Sequence, residues 1–342
     1  MEKYLQWLDS RSRDNLLQPY GADPKDELNW DFLADWVAPG RDRLSEVDVA
    51  SRLDYQSPEP CRRFFNDCYR VYLLDLTART AGVLGHRQAS QRWQQQARSV
   101  AAAAHRAFFH PENNTYANGE QPYLAMPLGL DIVPPPLRTR VLESLDRDLR
   151  QRQGHLNAGV LGTWFLLKSL AQLQRHDWIN QVVSQRTYPG WGQMLEQGAT
   201  TLWERWDGKE SQIHTSFLSA GSWFLTGLAG IQHDEKQPGF EHVVIRPAIV
   251  GDLTFARARY RSIRGWIASS WRKTGDRVIL EVTIPPGATA TVFVPTSDPG
   301  SLTESGTPAS QAACVRRVGA QAGMAIVEIG SGHYAFAAAH KA

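Results

Sequence analysis

Cysteine is scarce in this chain. Three residues in 342, at positions 61, 68 and 314, form no disulfide framework and no paired zinc-ligand pattern. An excess charge of one sign is also missing. Thirty-seven Lys and Arg stand against 35 Asp and Glu, a net charge of +2 with no basic block, which argues against nucleic acid as the main partner. The Arg-rich stretch Arg138 to Arg152 alternates with acids and reads as a solvated helix face. The opening MEKYLQWLDSRSRDN is charged throughout and has no apolar signal core. No run of about 18 apolar residues is present to span a membrane. These absences predict a cytoplasmic chain without a membrane anchor. Asn113-Asn114-Thr115 is a glycosylation sequon, read here as a turn. His105 and His110 lie five apart, which is not the spacing of one helical face, so neither a metal nor a cofactor is expected.

Tryptophan is plentiful, with 12 residues. Four of them, Trp191, Trp203, Trp206 and Trp223, fall in the stretch Tyr188 to Gly230, together with Glu204, Arg205, Asp207 and His214. Planar rings beside hydrogen-bonding and acidic groups suit a sugar. The C–H faces of a pyranose pack on the rings and its hydroxyls bond the polar groups. The competing structural roles are a packed Trp/Gly loop, a buried Glu204–Arg205 bridge, and a helix-capping His214.

Along the chain, residues 1–18 read as a helix, and residues 19–60 as a long irregular segment containing Trp30 and Trp36. Helices are predicted over Cys61 to Leu84 and Gln88 to Phe109, the first with Phe64, Phe65, Cys68, Tyr72 and Leu76 at helical spacing. A helix is then expected from Pro134 to about Gln153. A further helix follows with Asn157 as its cap and Gly159 and Gly162 permitting close packing. Asp177 to Gln185 and Ser216 to Ile231 complete the helical part. After Gly239 the period changes to two. HVVIRP, LTFARARYRS, GWIASSWRK, RVILEVTIP, TATVFVP, Met324 to Glu328 and His333 to Ala338 read as strands, with a loop at 297–312. The expected domains are 1–236, helical, and 237–342, a small antiparallel β-sandwich.

The ordered run GWGQML, GATTLWERWDG, then a His ahead of an amphipathic helix, resembles the bacterial α-L-rhamnosidases of glycoside hydrolase family 78. The segment NWDFLADWVAPG carries a second part of the resemblance. The family has Gly-Asp-Trp-Leu there; Asp35 and Trp36 match, while Ala34 and Val37 replace the Gly and the Leu. The hairpin RSIRGWIASSW resembles a third family element, and Tyr116 to Pro127 resembles the family's hairpin at which the chain re-enters the barrel mouth, at Gln121. The resemblance implies a mainly α fold with a β module: part of an (α/α)6 toroid, six-hairpin glycosidase-like, followed by the sandwich. It implies inverting hydrolysis of terminal α-L-rhamnosides, with Glu204 as general base. Asp35, Trp36, Trp191, Trp203, Trp206 and His214 would contact substrate, a rhamnose-containing glycoside or polysaccharide.

Such chemistry needs two carboxyl groups, about 6.5–9.5 Å apart in inverting enzymes so that a water fits between. The family's general acid lies in a run well ahead of the Asp-Trp motif, and nothing of that kind precedes Asp35. Three explanations stay open. The chain is a fragment of a longer enzyme, or half of a split enzyme with its N-terminal part supplied in trans, or a shortened relative that self-associates and uses Asp23, Asp26, Glu27 or Asp31 as the acid. The alternative to catalysis is a carbohydrate-binding or scaffold protein on the same fold. A hydrolase or lyase acting on uronic-acid glycans is a further reading, against which the WERW context weighs.

Overall fold

The structure, a computed structural model, describes residues 1–19, 32, 34–39, 61–321 and 323–340. It divides into two compact units, Met1–Ser219 and Ala220–Ala342.

The first unit opens with α1 (Glu2–Ser10) and a short hairpin, β1 (Ser12–Arg13) with β2 (Leu16–Leu17). The single helix expected over 1–18 is therefore too long. Asp14 and Asn15 sit at φ 54° and 67°, a left-handed turn that ends helical geometry. Next comes the helical pair α2 (Cys61–Val83) and α3 (Arg87–Phe108). Helix α2 buries Phe64, Cys68, Val71, Leu74 and Ala78, a three-to-four-residue repeat that turns one stripe to the core. The hairpin β3 (Phe109–His110) with β4 (Thr115–Tyr116) leads into α4 (Gln121–Gly129). The reading of Tyr116 to Pro127 as a hairpin misplaces it, because most of that stretch is helix. Pro122 falls in the first turn, where a missing N–H costs nothing. Every residue from Gln121 to Leu128 is buried, so α4 has no amphipathic signature.

Helices α5 (Arg138–Gln151), α6 (Val160–Gln172), α7 (His176–Val183) and α8 (Trp191–Glu196) follow. Helix α4 packs on both α5 and α6. Asn157 does not cap α6. Its Oδ1 accepts from Gln121 N at 3.1 Å, while Gln121 Oε1 accepts from Asn157 N at 3.0 Å. This reciprocal pair ties the entry of α4 to the segment before α6.

The second unit contains most of α9 (Ser219–Trp223), which continues into a wider π-helical turn, Phe224–Leu228. Its strands are β5 (Ile231–His233), β6 (His242–Ile245), β7 (Phe255–Ser262), β8 (Gly265–Thr274), β9 (Arg277–Ile284), β10 (Thr289–Pro295), β11 (Asp298–Glu304), β12 (Thr307–Pro308), β13 (Val315–Gln321), β14 (Met324–Ile329) and β15 (Gly332–Ala339). They form two sheets in the orders β13-β14-β10-β6-β5 and β12-β11-β15-β9-β8-β7. The region 297–312, expected to be a loop, holds β11 and β12. Leu302, Ala309 and Ala312 are buried apolar anchors there, among Ser, Gly and Pro. All pairings are antiparallel among the described residues except β6 with β10, which is parallel. Val243, Ile245, Trp271, Leu280, Val292, Val327 and Phe336 fill the space between the sheets. The Trp271 indole N–H donates to Leu228 O at 2.8 Å.

Candidate active site

The site is built around the N-terminus of α6, whose first backbone N–H groups have no partner within the helix. The loop carrying Asp35 and Trp36 supplies the acceptors. Gly159 N donates to Asp35 Oδ2 and Gly162 N to Asp35 Oδ1, both at 2.7 Å. Val160 N donates to Trp36 O at 2.9 Å. A carboxylate at this end of a helix also meets the positive pole of its dipole. The approach is so close that only glycine fits. A Cβ on Gly159 would lie 1.9 Å from Trp36 O, and one on Gly162 would lie 2.2 Å from Asp35 Oδ2. Asp35 is thus a deeply buried cap, 1% exposed, rather than a group on an open pocket wall. What it holds in place is Trp36, which remains half-buried.

The Trp36 indole N–H points at Glu204 Oε1, 3.4 Å away and 168 residues along the chain. Glu204 is also half-buried. It stands on a loop closed by two backbone bonds, Glu204 N to Ser211 O at 2.8 Å and His214 N to Leu202 O at 2.9 Å. Inside that loop the Arg205 guanidinium grips Asp207 through two donors, Nε to Oδ1 at 3.2 Å and Nη2 to Oδ2 at 3.0 Å. Arg205 is 3% exposed. This clamp fixes the turn that presents Glu204. Among the described residues, Glu204 Oε2 accepts no hydrogen bond.

The remaining residues expected at the site separate into three places. Trp206 is fully buried, with its ring stacked on Phe217 at 3.8 Å and its N–H donating to Ala158 O at 3.3 Å. It has no open face for a sugar, which corrects the expectation of substrate contact. Trp191 meets Trp206 edge-on at 5.2 Å and donates to Phe217 O at 3.0 Å. These rings form a knot beneath the residue that precedes Gly159. Trp203 lies over Gly208 and borders a hollow of about 300 Å³, lined by Thr200, Asp207 and Gln212 as well. His214 is exposed, and its Nδ1 pairs with Ser216 Oγ. Ser216 in turn borders a cavity of about 430 Å³ whose aromatic wall is Tyr69, Tyr72 and Trp164. Another cavity, about 580 Å³ and lined by Asp75, Arg79, Arg98 and Lys168 among others, includes none of the expected site residues. Asp23, Asp26, Glu27 and Asp31, the candidate acids, lie outside the described residues, as does Trp30.

Sequence reasoning missed the helix terminus as the anchor of the site. The available signal was the pair Gly159 and Gly162 at the start of an apolar run, read as helix packing instead.

A helical unit in which the loop on the α6 terminus presents a tryptophan to a carboxylate, followed in the chain by a β-sandwich, has the domain make-up of the six-hairpin class. Residues 1–228 match the model of the bacterial α-L-rhamnosidase six-hairpin glycosidase domain, and residues 230–308 match that of the bacterial α-L-rhamnosidase C-terminal domain. The chain belongs to the bacterial α-L-rhamnosidase family. An α-L-rhamnosidase of Streptomyces avermitilis is 30% identical over 279 residues, 78% of this chain and 26% of the relative. One from Formosa agariphila is 28% identical over 300 residues, 81% of this chain and 32% of the relative. The crystal structure of the S. avermitilis α-L-rhamnosidase complexed with L-rhamnose superposes with a TM-score of 0.82 at 26% identity, covering 98% of this chain and 30% of that one. The structure of α-L-rhamnosidase from Dictyoglumus thermophilum gives 0.82 at 23% identity, covering 98% and 36%, and shows the shared fold. The chain thus spans about a quarter to a third of the length of these relatives.

Proposed function

We propose that this chain furnishes the general-base half of an inverting α-L-rhamnosidase site. Glu204 removes a proton from the water that attacks the anomeric carbon of a terminal α-L-rhamnoside. The observation that carries this reading is the Trp36 indole N–H directed at Glu204 Oε1, which joins the two family motifs. That contact orients the carboxyl group and leaves Oε2 for the water. The half-open Trp36 ring offers an apolar face to the sugar and the exposed His214 a ring nitrogen for its hydroxyls, while Trp203, 5% exposed, packs on Gly208 and supports the loop. Asp35 acts through Trp36, as a positioning residue.

Protonation of the leaving oxygen needs a second carboxyl group. The reading assigns it to a segment contributed in trans or by a second copy, or to the acids between Asp23 and Asp31. Hydrolysis of 4-nitrophenyl α-L-rhamnoside tests this, with the chain alone and mixed with the N-terminal barrel segment of the S. avermitilis relative. Turnover is expected in the mixture, and Glu204→Gln is expected to lower it on the order of 10²–10⁴-fold. Unchanged turnover in Glu204→Gln would remove Glu204 from the chemistry. No turnover in either sample, with equal L-rhamnose affinity in both proteins, would favour the carbohydrate-binding reading.

A further inference from the structure

The outer face of the six-stranded sheet carries an uncompensated row of charge. Along β7 the side chains alternate, and Phe255, Arg257, Arg259 and Arg261 all point outward and are exposed. Register sets Arg272, Ser270, Ala268 and Trp266 of β8 opposite them, in that order. Arg272 is paired with Glu281 at 3.2 Å. Glu281 is the one acid on the outward positions of β7, β8 and β9. Arg257 and Arg261 form no ion pair among the described residues, and Arg259 lies 4.9 Å from the Trp266 ring. Next-but-one residues on a strand are about 6.8 Å apart, so the three guanidinium groups form a row about 14 Å long. Trp266, 48% exposed, stands at one end of the row, and Phe255, 63% exposed, at the other.

Charge on an edge strand has an ordinary use, because it deters pairing with another sheet. That use accounts for the arginines of β7. It does not account for two large exposed aromatic rings on the same face, which would promote association. An aromatic ring backed by a guanidinium, beside the small residues Ala268 and Ser270, instead makes a flat platform for a pyranose ring. The free arginines supply partners for its acidic substituents. Single-stranded nucleic acid is bound on several successive stacking rings along a groove, and here the rings stand at opposite ends of a flat strip. We propose that the β7–β8 face binds an anionic polysaccharide, a glycan chain bearing carboxylate or sulfate groups. This site is separate from Glu204 and does not rest on the catalytic reading.

The test is affinity electrophoresis of the full chain in gels holding polygalacturonate, dextran sulfate or neutral dextran, with a single-stranded oligonucleotide as a competitor. Retardation by one or both polyanions and not by neutral dextran is expected, weakening as salt rises. The difference between polygalacturonate and dextran sulfate identifies the preferred acidic group. The triple variant Arg257→Glu, Arg259→Glu, Arg261→Glu should weaken binding on the order of tenfold or more. The corresponding triple Arg→Lys variant should retain most of it. Trp266→Ala should weaken binding roughly two- to fivefold without changing the salt dependence. Retention unaffected by the triple variant, or by Trp266→Ala, would overturn the proposal. So would displacement by the oligonucleotide at equal charge concentration, which would mark the face as a general polyanion surface. If the Glu triple does not fold, the Trp266→Ala and Lys-triple arms decide.

Discussion

Two parts of the helical unit are each held by a buried aspartate, and they are held differently. At the start of α6, Asp35 uses both oxygens on backbone N–H groups of one helix terminus, each at 2.7 Å. At the N-terminal clip, Asp67 on α2 receives Leu17 N at 3.0 Å on Oδ1, while Oδ2 is buried with no partner. Its neighbour Arg70 does most of the holding there, through Asp9 at 2.6 Å, Ser12 at 2.7 Å and Asn15 O at 3.2 Å. Burial raises the Asp67 carboxyl from 3.8 to about 7, against the opposing pull of the Leu17 bond, Arg70 and Arg63. Depth of burial is similar in the two places. What distinguishes them is how many donors meet the charge. The collar at α6 is built to keep a carboxylate, and the clip on α2 tolerates one.

The largest expected effect breaks the collar from below. Trp206 supports Ala158 O from one side while Asp35 and Trp36 grip the next residues from the other. Trp206→Ala should cost about 3–5 kcal/mol, read from urea unfolding. If Trp206 were a surface platform for sugar, stability would be nearly unchanged and only affinity would fall. Next in size is Gly162→Ala. The added methyl would meet Asp35 Oδ2 at 2.2 Å and Pro122 Cγ at 2.7 Å. Displacing a buried capping carboxylate in a packed setting should cost about 3 kcal/mol. A loss below about 0.5 kcal/mol would mean that the collar yields freely and positions nothing.

The clip responds to pH instead. The folded-state value of Asp67 lies above its unfolded value, so the folded chain binds this proton more tightly. The stability linked to it is complete below pH ~4 and is lost as the pH rises through about 7. Asp67→Asn removes that loss, and its Oδ1 can still accept from Leu17 N. The variant should gain on the order of 1–3 kcal/mol at pH 8 and nothing at pH 4. Equal gains at both pH values would show that the buried charge is not the cause.

These contrasts show what was legible from residues alone. The pair α2 and α3 was legible to within a residue or two, the first because Phe64, Phe65, Cys68, Tyr72 and Leu76 fall at helical spacing. The sandwich strands were legible from strict alternation, as in β9, where Val278, Leu280, Val282 and Ile284 are buried in turn. Helix α4 was not, since burial on every side erases the pattern and two prolines argue against a helix. Within the candidate site, the family motifs pointed to Trp36 and Glu204, which the fold brings together, but could not sort one tryptophan from another. Trp206 and Trp36 are equal as letters. They differ in whether the indole N–H ends on a backbone carbonyl inside the core or on a half-open carboxylate. That distinction is set by contacts between segments far apart in sequence.

The smallest effect concerns the two residues that depart from the family's Gly-Asp-Trp-Leu. Ala34 and Val37 flank Asp35 and Trp36 at φ 55° and 54°, in the left-handed region. The departure at Ala34 falls where a glycine would carry no steric penalty, so the collar is held with a strain that the family's usual residue avoids. A left-handed alanine costs roughly 1–2 kcal/mol, and glycine returns about 0.5–1 kcal/mol of that through the unfolded chain. Ala34→Gly should therefore stabilise by about 0.5–1 kcal/mol, measured as a higher urea midpoint. Val37→Gly relieves the same strain but gives up a side chain that is 1% exposed, so it should destabilise by about 1–2 kcal/mol. Opposite signs at two positions with the same φ would show that the collar's strain is local to the backbone. A loss at both would mean that the Ala34 methyl packs more favourably than its φ angle costs.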